Sequence, residues 1–507
     1  MFNFLSLNLL IFSPVIAAII VASPLFGKNP IYIRRFSKTF ATIHFLYSLL
    51  FIGFYNSSAG NFYDEIRIFG KGWLSKLGIS AAFGVDGFTI LLVVLTSFIF
   101  LLALIVSKTM IRTKHKMYYT LMLLLLSTVL GIFCAKDMFV FLLFWEAELI
   151  PMYFLIAEWG SEKCKKSAMK YVLYTFFGSI FIFLAMIALY YYGFQSNGVL
   201  SSSIDFLRVS PIENGYSSLI QNIIFLSFLV GFAVKLPIIP LHSWLPNAHS
   251  DAPTPISMIL SAILLKTGAY GLIRYNFDLF PDLFIKYSPY IMVFAVVNII
   301  WAAFAAFKQK DIKRVIAYSS ISHMGLFLLG FASLTKIGFD GAIFIIFAHA
   351  FIVAGLFLIV GLIQQQLKTR SLQEISGLGK YMPKLMIASY IVSFAAIGIP
   401  LTVGFPGEIS VFIGAFSADF SNQILPKICA LFAISSLVLS SSYILKLFHC
   451  IFCQTNNNQK TYHDITGHRL TVILILCFCI LFFGCFPDLL MQLYNEVTDT
   501  LIGFLRI

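Results

Sequence analysis

Charged residues are scarce in this chain, and this scarcity excludes most soluble folds. Only 11% of its 507 residues are charged, while 59% are hydrophobic; about a quarter of an ordinary soluble domain is charged. The eight cysteines are scattered, mostly inside apolar runs, and form no disulfide framework. The N-terminal apolar run lacks both a basic flank and a clear cleavage site, which favours a first spanning helix over a signal peptide. The composition predicts an all-α membrane protein with many spans.

Several kinds of chemistry lack their sequence signature. The chain has no Gly-rich phosphate-binding loop, no cysteine set for an iron–sulfur cluster and no nucleophile–histidine–acid arrangement. We therefore expect no redox cofactor in it. A C-x-x-C and an H-x-x-x-x-H near the C-terminus use metal-ligand residue types, but the gap between them is short for a zinc finger. We expect no metal at these positions, which are His449, Cys450, Cys453, His463 and His468.

Apolar runs long enough to cross a membrane recur along the whole chain. A helix needs about 20 apolar residues to cross the hydrocarbon core, and this criterion predicts fourteen spans, of which the twelfth is broken. They cover 4–24, 39–55, 88–107, 117–135, 137–157, 169–193, 219–240, 256–274, 287–307, 313–332, 340–363, 383–418, 426–448 and 468–494.

The basic residues agree with this count. With fourteen spans, 23 of the 35 lysines and arginines fall in loops on one side, 10 fall on the other side and two lie within the membrane. The positive-inside rule makes the basic side the inner one and places both termini outside. Topology thus accounts for the net charge of +13, and nucleic acid is excluded as a partner.

Two of the predicted spans are irregular. The seventh contains Lys235 followed by Pro237 and Pro240, and the twelfth contains GIPLTVGFPGE. Broken helices occur in membranes only where they are buried in protein or line a cavity. Because the breaks lie five spans apart, we predict two inverted five-helix repeats. The predicted units are three N-terminal helices in 1–116, a first repeat in 117–274, a second repeat in 285–448, and an inner loop with the last helix in 449–507.

Six ionisable residues are predicted to lie at comparable depth within the membrane. Glu146 lies about 13 Å into its span and Lys266 about 15 Å, at 1.5 Å per residue. Intramembrane charges are costly and mark proton or ion paths, and carboxylates, lysines and histidines can all exchange protons. Structural ion pairing is the alternative for any single residue. The predicted proton relay comprises Glu146, Lys235, Lys266, His323, His349 and Glu408.

Other polar residues near the membrane have open roles. Glu148 lies two residues beyond Glu146 and points to nearly the opposite face of a straight helix. Asp86 and Asp137 lie at span ends, where they either cap a helix or serve a function. The proline-rich inner turn after Lys235 holds three polar side chains that either mark a proton entrance or satisfy backbone groups. These are His242, His249 and Asp251.

Long motifs between 83 and 446 include FGVDG, FWEAELIPMYFLIAEWG, IAYSSISHMG and FAVKLPIIPLHSWLPNAHSDAPTPISMILSAILLKTGAYGLIR. In these motifs the chain resembles the antiporter-like subunits of respiratory complex I, the proton-translocating NADH:quinone oxidoreductase. The subunit M or subunit 4 type is the most similar, and the NADH dehydrogenase-like complex of cyanobacteria and chloroplasts has a similar chain. The resemblance implies a fourteen-helix fold with inverted repeats and one proton channel.

Matching motifs imply roles for five residues. Glu146 in FWE resembles the channel glutamate, and Lys235 in FAVKLP resembles its paired lysine. Lys266 in LLKTGAYG matches the central lysine, His349 in FAHA the following relay histidine, and Glu408 in GFPGE the exit glutamate.

The sequence departs from the family pattern in two places. DAPTPISMILSA replaces the commoner APTAGSVILAG, and GIPLTVGFPGE has Leu401 where glycine is usual, with an added Pro406. These departures bear on the shape of the broken twelfth helix.

The resemblance implies a membrane-arm subunit of complex I that translocates protons. NADH, FMN, iron–sulfur clusters and quinone are then expected in partner subunits, among which sister antiporter-like subunits neighbour this chain in the lipid bilayer. A cation/proton antiporter subunit and a non-transporting scaffold are the alternatives. The 55 phenylalanines favour the mitochondrial inner membrane slightly over a bacterial plasma membrane.

Overall fold

The fold was analysed in a computed structural model that describes residues 6–27, 29–55, 62–65, 76–209, 218–420, 423–454 and 462–503. Almost all regular structure in these residues is α-helical. The helices are α1 Leu7–Ala22, α2 Pro30–Phe54, α3 Gly87–Met110, α4 His115–Cys134, α5 Met138–Ala147, α6 Leu149–Trp159, α7 Cys164–Asn197, α8 Ile204–Val209, α9 Ser218–Lys235, α10 Leu245–Asp251, α11 Thr254–Ile259, α12 Leu265–Gly271, α13 Pro281–Lys308, α14 Ile312–Ala332, α15 Lys336–Leu367, α16 Pro383–Ile397, α17 Gly404–Phe416, α18 Ile424–Phe452, α19 His468–Cys485 and α20 Asp488–Gly503.

Three kinds of shorter element accompany these helices. Turns of 3₁₀-helix cover Pro24–Phe26 and Leu378–Lys380. Turns of π-helix, Leu260–Leu264 and Leu272–Phe277, flank α12 and join it to α11 in one continuous span. Two short antiparallel strands, β1 Phe62–Glu65 and β2 Ala82–Val85, pair ahead of α3. The fold is therefore an all-α membrane bundle with a small hairpin on the predicted outer side.

The described helices confirm the predicted membrane architecture. Twelve helical spans in the described residues are long and apolar enough to cross a membrane, counting α5 with α6 as one and α11 with α12 as one. Three shorter apolar helices, α1, α16 and α17, supply the first span and the broken twelfth span. Each of the fourteen predicted spans coincides with helix. The last prediction ran too far: α19 ends at Cys485, because Pro487 lacks the N–H that a continuing helix needs. The separate helix α20 then packs across α3 and α15 on the predicted outer side.

Matching contacts in the two halves support the predicted repeats. Asp137 caps α5 and pairs with Ser203, while Asp311 caps α14 and pairs with Ser371. In each half, the two segments that pair here exchange two backbone N–H···O=C hydrogen bonds, one donated by each segment, at lengths of 2.9–3.1 Å. The capping interpretation of Asp137 is thus confirmed, and its counterpart lies at the opposite membrane side in an inverted repeat.

The two helix breaks also match. Ile238 N–H bonds to the carbonyl of Ala233 at 2.9 Å, and Ile399 N–H bonds to the carbonyl of Phe394 at 3.0 Å. The letters I-P-L-x-x-x-x-P occur at both breaks, at 239–246, one residue after Ile238, and at 399–406, beginning with Ile399 itself. The seventh span therefore ends as a helix at Lys235, earlier than the predicted 240.

The centre of the bundle is formed by three spans. The most apolar parts of Thr254–Phe277 and Lys336–Leu367 are wholly buried, and that of Ile312–Ala332 is 94% buried. These spans carry Lys266, His349 and His323 respectively. The fold thus positions three predicted relay residues in protein, away from lipid.

Candidate functional site

Lys235 and Glu148 form a buried ion pair in the first half of the chain. Lys235 Nζ lies 2.6 Å from Glu148 Oε1, and the two side chains are 1% and 0% exposed. Glu148 occupies the junction between α5 and α6. Pro151 has no N–H for the carbonyl of Ala147, but Glu148 keeps helical dihedral angles of −62° and −31° and its N–H bonds to the carbonyl of Phe144 at 3.1 Å. Glu148 thus lies on the face of this span that is turned toward α9, which ends at Lys235.

The predicted partner of Lys235 was wrong in this respect. We expected Glu146 to face Lys235 because their motifs resemble those of the paired glutamate and lysine of the family, and Glu148 was expected on nearly the opposite face. Instead, Glu148 makes the ion pair, and Glu146 is only half-buried. The relay role of Glu146 stays a prediction from the resemblance.

Aromatic residues complete the surroundings of the pair. The Tyr171 hydroxyl donates to Glu148 Oε1 at 3.0 Å. The Trp145 ring lies 4.2 Å from Lys235 Nζ, and its indole N–H donates to Ser179 at 3.1 Å. A buried ammonium gains from an aromatic face when it is desolvated. Lys235 therefore keeps one favourable contact even when its carboxylate is lost.

Lys266 lies directly beyond a π-helical turn, at the centre of the bundle. Its Nζ donates to the carbonyl of Ser261 at 2.8 Å and lies 2.6 Å from His349 Nδ1. π-Helical turns leave carbonyl groups for side chains and occur often at functional sites. The position of the lysine is thus set by the local winding of its own helix. The contact with His349 allows direct proton exchange between the two groups.

The segments that carry the two lysines are in backbone contact. A Cβ atom on Gly268 would lie 2.8 Å from the backbone nitrogen of Leu236 and 3.2 Å from the carbonyl carbon of Lys235. Only glycine allows this approach without displacement of backbone. The Lys235 and Lys266 sites therefore lie on adjoining segments.

Two histidines continue the series from Lys266. The rings of His349 and His323 lie 5.6 Å apart, centre to centre. His323 Nδ1 donates to the carbonyl of Ser319 at 2.7 Å, which directs Nε2 toward Glu408 Oε1 at 3.7 Å. Polar groups at such spacing are bridged by one water or a small rotation. Lys266, His349, His323 and Glu408 thus form one continuous row, whose spatial order differs from their order in the sequence.

Glu408 is held against the break between α16 and α17. Gly398 closes α16 at a φ of +77°, and a Cβ on it would lie 2.1 Å from Glu408 Oε2. Both facts favour glycine at 398. Within the described residues, Glu408 Oε2 is buried and makes no hydrogen bond. Such an atom in a relay is free to accept or release a proton.

Replacing Gly398 with alanine is expected to destabilise the protein by about 1–3 kcal/mol. The new methyl group would meet Glu408, and the alanine backbone would have to adopt a left-handed conformation. Gly467→Ala is the matched control, since Gly467 has a φ of +58° but nothing within 4 Å of its Cβ position. Thermal unfolding of the purified protein measures both. Equal shifts in the two variants would contradict a contact with Glu408.

The break places Leu401 in a backbone conformation that suits glycine, the residue expected there from the family resemblance. Leu401 has a φ of +71°, in the left-handed region that favours glycine. Its side chain is 68% exposed, so no packing offsets the backbone cost. The following Val403 N–H bonds to the carbonyl of Ile480 in α19 at 3.0 Å. The neighbouring helix therefore holds the loop in place despite the leucine.

Comparison with known proteins identifies the family. Residues 135–435, well over half of the chain, match the family described as "NADH:quinone oxidoreductase/Mrp antiporter, TM". The chain belongs to this family. It is 36% identical over 458 residues to an NAD(P)H-quinone oxidoreductase chain 4 from Picosynechococcus sp., covering 85% of this chain and 82% of that protein.

Two solved structures share the fold. A chain of respiratory complex I from Thermus thermophilus superposes with a TM-score of 0.86 at 27% identity, covering 99% of this chain and 100% of that chain. A chain of the Mrp complex from Dietzia sp. gives a TM-score of 0.85 at 20% identity, covering 98% and 97%. All three source organisms are bacteria, so these relatives do not support the expected mitochondrial membrane.

In this family member the proline-rich inner turn borders a polar cavity of about 310 Å³. Asp251 and Lys313 line it, and Lys313 Nζ donates to the carbonyl of Ala252 at 2.8 Å. His249 is fully buried beside this cavity and stacks on Phe357, with ring centres 4.6 Å apart. Lys313 is the first residue of the predicted tenth span. Its burial under the turn was not predicted, because charge counting says nothing about side-chain direction.

His242, the third polar residue of the turn, contacts aromatic rings. Its ring centre lies 4.6 Å from that of Trp301 and 6.5 Å from that of Tyr318. The side chain is 7% exposed. The structure therefore places His242 against α13 and α14, apart from the cavity lining around Asp251.

An ion-pair network on the predicted outer side had also been missed. Arg274 pairs with Asp86 and, at 3.4 Å, with Asp278, while Arg208 pairs with Asp278 at 2.6 Å. Asp86 also caps α3 through Thr89 N–H at 2.9 Å. Although burial raises the pKa of Asp86, the charges of Arg274 and Lys136 bring it down to about 2. Asp86 thus both caps α3 and joins it to Thr254–Phe277, the span that carries Lys266 and Arg274.

The histidine–cysteine cluster near the C-terminus shows no metal-site geometry. Across the described ranges, no three His, Cys, Asp or Glu side chains are grouped to hold a metal ion. Cys453 instead lies 3.1 Å from the Tyr390 hydroxyl.

Proposed function

We propose that this chain is a proton-translocating membrane subunit of an NAD(P)H:quinone oxidoreductase of the complex I type. The observation that carries the proposal is the continuous row from Lys266 through His349 and His323 to Glu408. Lys266 Nζ lies 2.6 Å from His349 Nδ1, the centres of the two histidine rings lie 5.6 Å apart, and His323 Nε2 lies 3.7 Å from Glu408 Oε1. The name of the Picosynechococcus relative and the 27% identity with the Thermus complex I chain support the oxidoreductase over other members of the family.

In this mechanism the Glu148–Lys235 pair acts as the switch. While Glu148 is charged and in contact, it stabilises the Lys235 ammonium. If the carboxylate is protonated or moves away, the ammonium loses its partner, and a charge change at Lys235 then acts on Lys266 in the adjoining segment. Coulomb interaction between buried groups is strong because the surrounding dielectric constant is low.

Transfer then proceeds along the row of the second half. Lys266 passes a proton to His349, with which its Nζ is in contact. A rotation of either imidazole brings His349 and His323 within hydrogen-bond distance, and Glu408 accepts the proton from His323. Histidine suits the intermediate positions because it exchanges protons near neutral pH. The buried and unpartnered oxygen of Glu408 is the terminal acceptor in this half.

The redox chemistry belongs, in this proposal, to other subunits. NADH, FMN, iron–sulfur clusters and quinone would bind to partner chains, and sister antiporter-like subunits would neighbour this one in the membrane arm. The membrane would be an energy-coupling membrane of the bacterial type, in line with the bacterial relatives.

Proteoliposomes that contain the assembled complex test this proposal. NAD(P)H with a soluble quinone should drive proton movement that an uncoupler collapses, and the complex should contain flavin and iron–sulfur subunits. Sodium/proton exchange without NAD(P)H or quinone would favour the antiporter alternative instead. Pumping that is unaffected by substitutions throughout the row would show that the chain is a scaffold.

A further inference from the structure

A basic groove lies at the N-terminal end of α7, on the predicted inner side of the membrane. It is a cavity of about 550 Å³ formed by residues of α7, of α10 and of the first turn of α14. The groove lies outside the proton row described above. Its charged lining residues are Lys163, Lys166, Lys170, Arg314 and Asp251.

Two of the four cations are held in position by the protein. Lys170 Nζ donates to the carbonyl of Ser243 at 2.8 Å and lies 5.5 Å from the centre of the Tyr174 ring. Arg314 donates to the side-chain oxygen of Asn247 at 2.6 Å. Each bond uses one donor of a group that has several, so N–H groups are left for an anion. Fixed cations bind with a smaller loss of side-chain entropy.

The single carboxylate in the lining does not oppose an anion. Both oxygens of Asp251 accept hydrogen bonds of 2.5 Å, one from Ser161 and one from Ser167. Arg370 lies 4.0 Å from the same carboxylate, on the side of the inner cavity. The groove therefore presents an excess of positive charge.

The wall of the groove is apolar and continues into the membrane. Met169 and Leu173 line the groove and are 46% and 59% exposed. One and two turns further along the same face, Phe176 and Ile180 are also exposed. Such a stripe suits an acyl chain that begins at the basic end of the helix.

We propose that this groove binds an acidic phospholipid. The headgroup phosphate contacts Lys166, Lys170 and Arg314, and one acyl chain follows Met169 and Leu173 along α7. Basic pockets at the inner membrane boundary select anionic headgroups, and the apolar wall selects an amphiphile over free phosphate. The lipid also braces the turn after Lys235, because Ser243 and Asn247 hold two of the cations. This site does not depend on the proposed function.

Native mass spectrometry of the full-length chain, titrated in detergent with phosphatidylglycerol or phosphatidylcholine, tests the proposal. The wild-type chain should retain phosphatidylglycerol in preference to phosphatidylcholine. Lys166→Gln/Lys170→Gln should weaken this retention about thirtyfold, since each basic residue near an anionic headgroup contributes about a fivefold factor. Lys165→Gln/Lys310→Gln is the matched control: it removes the same charge from two exposed residues that do not line the groove.

Four outcomes would overturn the lipid site. Two concern retention: equal loss of phosphatidylglycerol retention in the two double variants, and retention of phosphatidylcholine equal to that of phosphatidylglycerol by the wild-type chain. The third is displacement of the lipid by millimolar glycerol phosphate. The fourth is labelling of a polypeptide by a photo-crosslinker at position 169 in the assembled complex. Should the double variant fail to fold, Arg314→Gln provides the same comparison by removing one fixed cation at the opposite wall.

Discussion

Proton translocation is expected to fall by about 10²-fold or more in Lys266→Ala, the magnitude of losing a positioned acid–base group. Lys266 joins the π-helical turn to the His349 ring, because its Nζ contacts both the carbonyl of Ser261 and His349 Nδ1. Without it, His349 has no proton donor, and the row to Glu408 is cut at its first step. The measurement is NAD(P)H-driven proton movement in proteoliposomes, normalised to the amount of assembled complex.

Lys310→Ala provides the control for this experiment, because Lys310 is exposed and lies ahead of α14, outside the buried row. It should pump at the wild-type rate. His349→Ala should resemble Lys266→Ala, and the double variant should be no worse than either single one, since both residues serve one step. Wild-type proton-to-electron ratios in Lys266→Ala would refute the row as the transfer path.

A double-mutant cycle is expected to identify Glu148 as the partner of Lys235. Glu148→Gln leaves a buried ammonium without its counter-charge and should destabilise the protein by about 3–5 kcal/mol. Adding Lys235→Met, which keeps an unbranched apolar side chain and removes the charge, should recover much of this loss. Thermal unfolding of the four proteins gives the coupling energy, for which we expect about 2 kcal/mol or more.

The same cycle with Glu146→Gln separates the two glutamates. Glu146 is half-buried and is not within ion-pair distance of Lys235, so its effect should add to that of Lys235→Met. Tyr171→Phe should act with Glu148, because its hydroxyl donates to the same oxygen. Strong coupling between Glu146 and Lys235, with none for Glu148, would instead restore the pairing expected from the family resemblance.

The residues of the second half were predictable, because each stands alone in a long apolar run. Lys266, His323 and His349 are costly in lipid wherever they point, so their burial together in the protein centre follows from composition. Glu408 follows a break whose glycines and prolines are visible in the sequence. What the pattern could not give was the contact order, in which His349 precedes His323, because this order depends on how α14 and α15 pack beside the lysine span.

The first half shows the limit of helical periodicity. The choice of Glu146 over Glu148 rested on the motif resemblance, and periodicity says only that the two point to nearly opposite faces. Which face meets Lys235 depends on how this span packs against α9, where Glu148 makes the ion pair. Lys313 and Arg274 gave no signal either, since a lysine or arginine at a span end looks the same in the sequence whether it is solvated or buried.

By itself, the sequence determined the membrane class and the positions of the helices, and it singled out the ionisable residues of the predicted relay. Hydrophobicity and charge act locally along the chain, so their effects are legible without a structure. Tertiary structure decided which carboxylate meets Lys235, how the histidines are ordered, and that Gly398 makes room for Glu408. These depend on helix interruptions and on close approaches between distant segments, which a few ångströms of displacement would abolish.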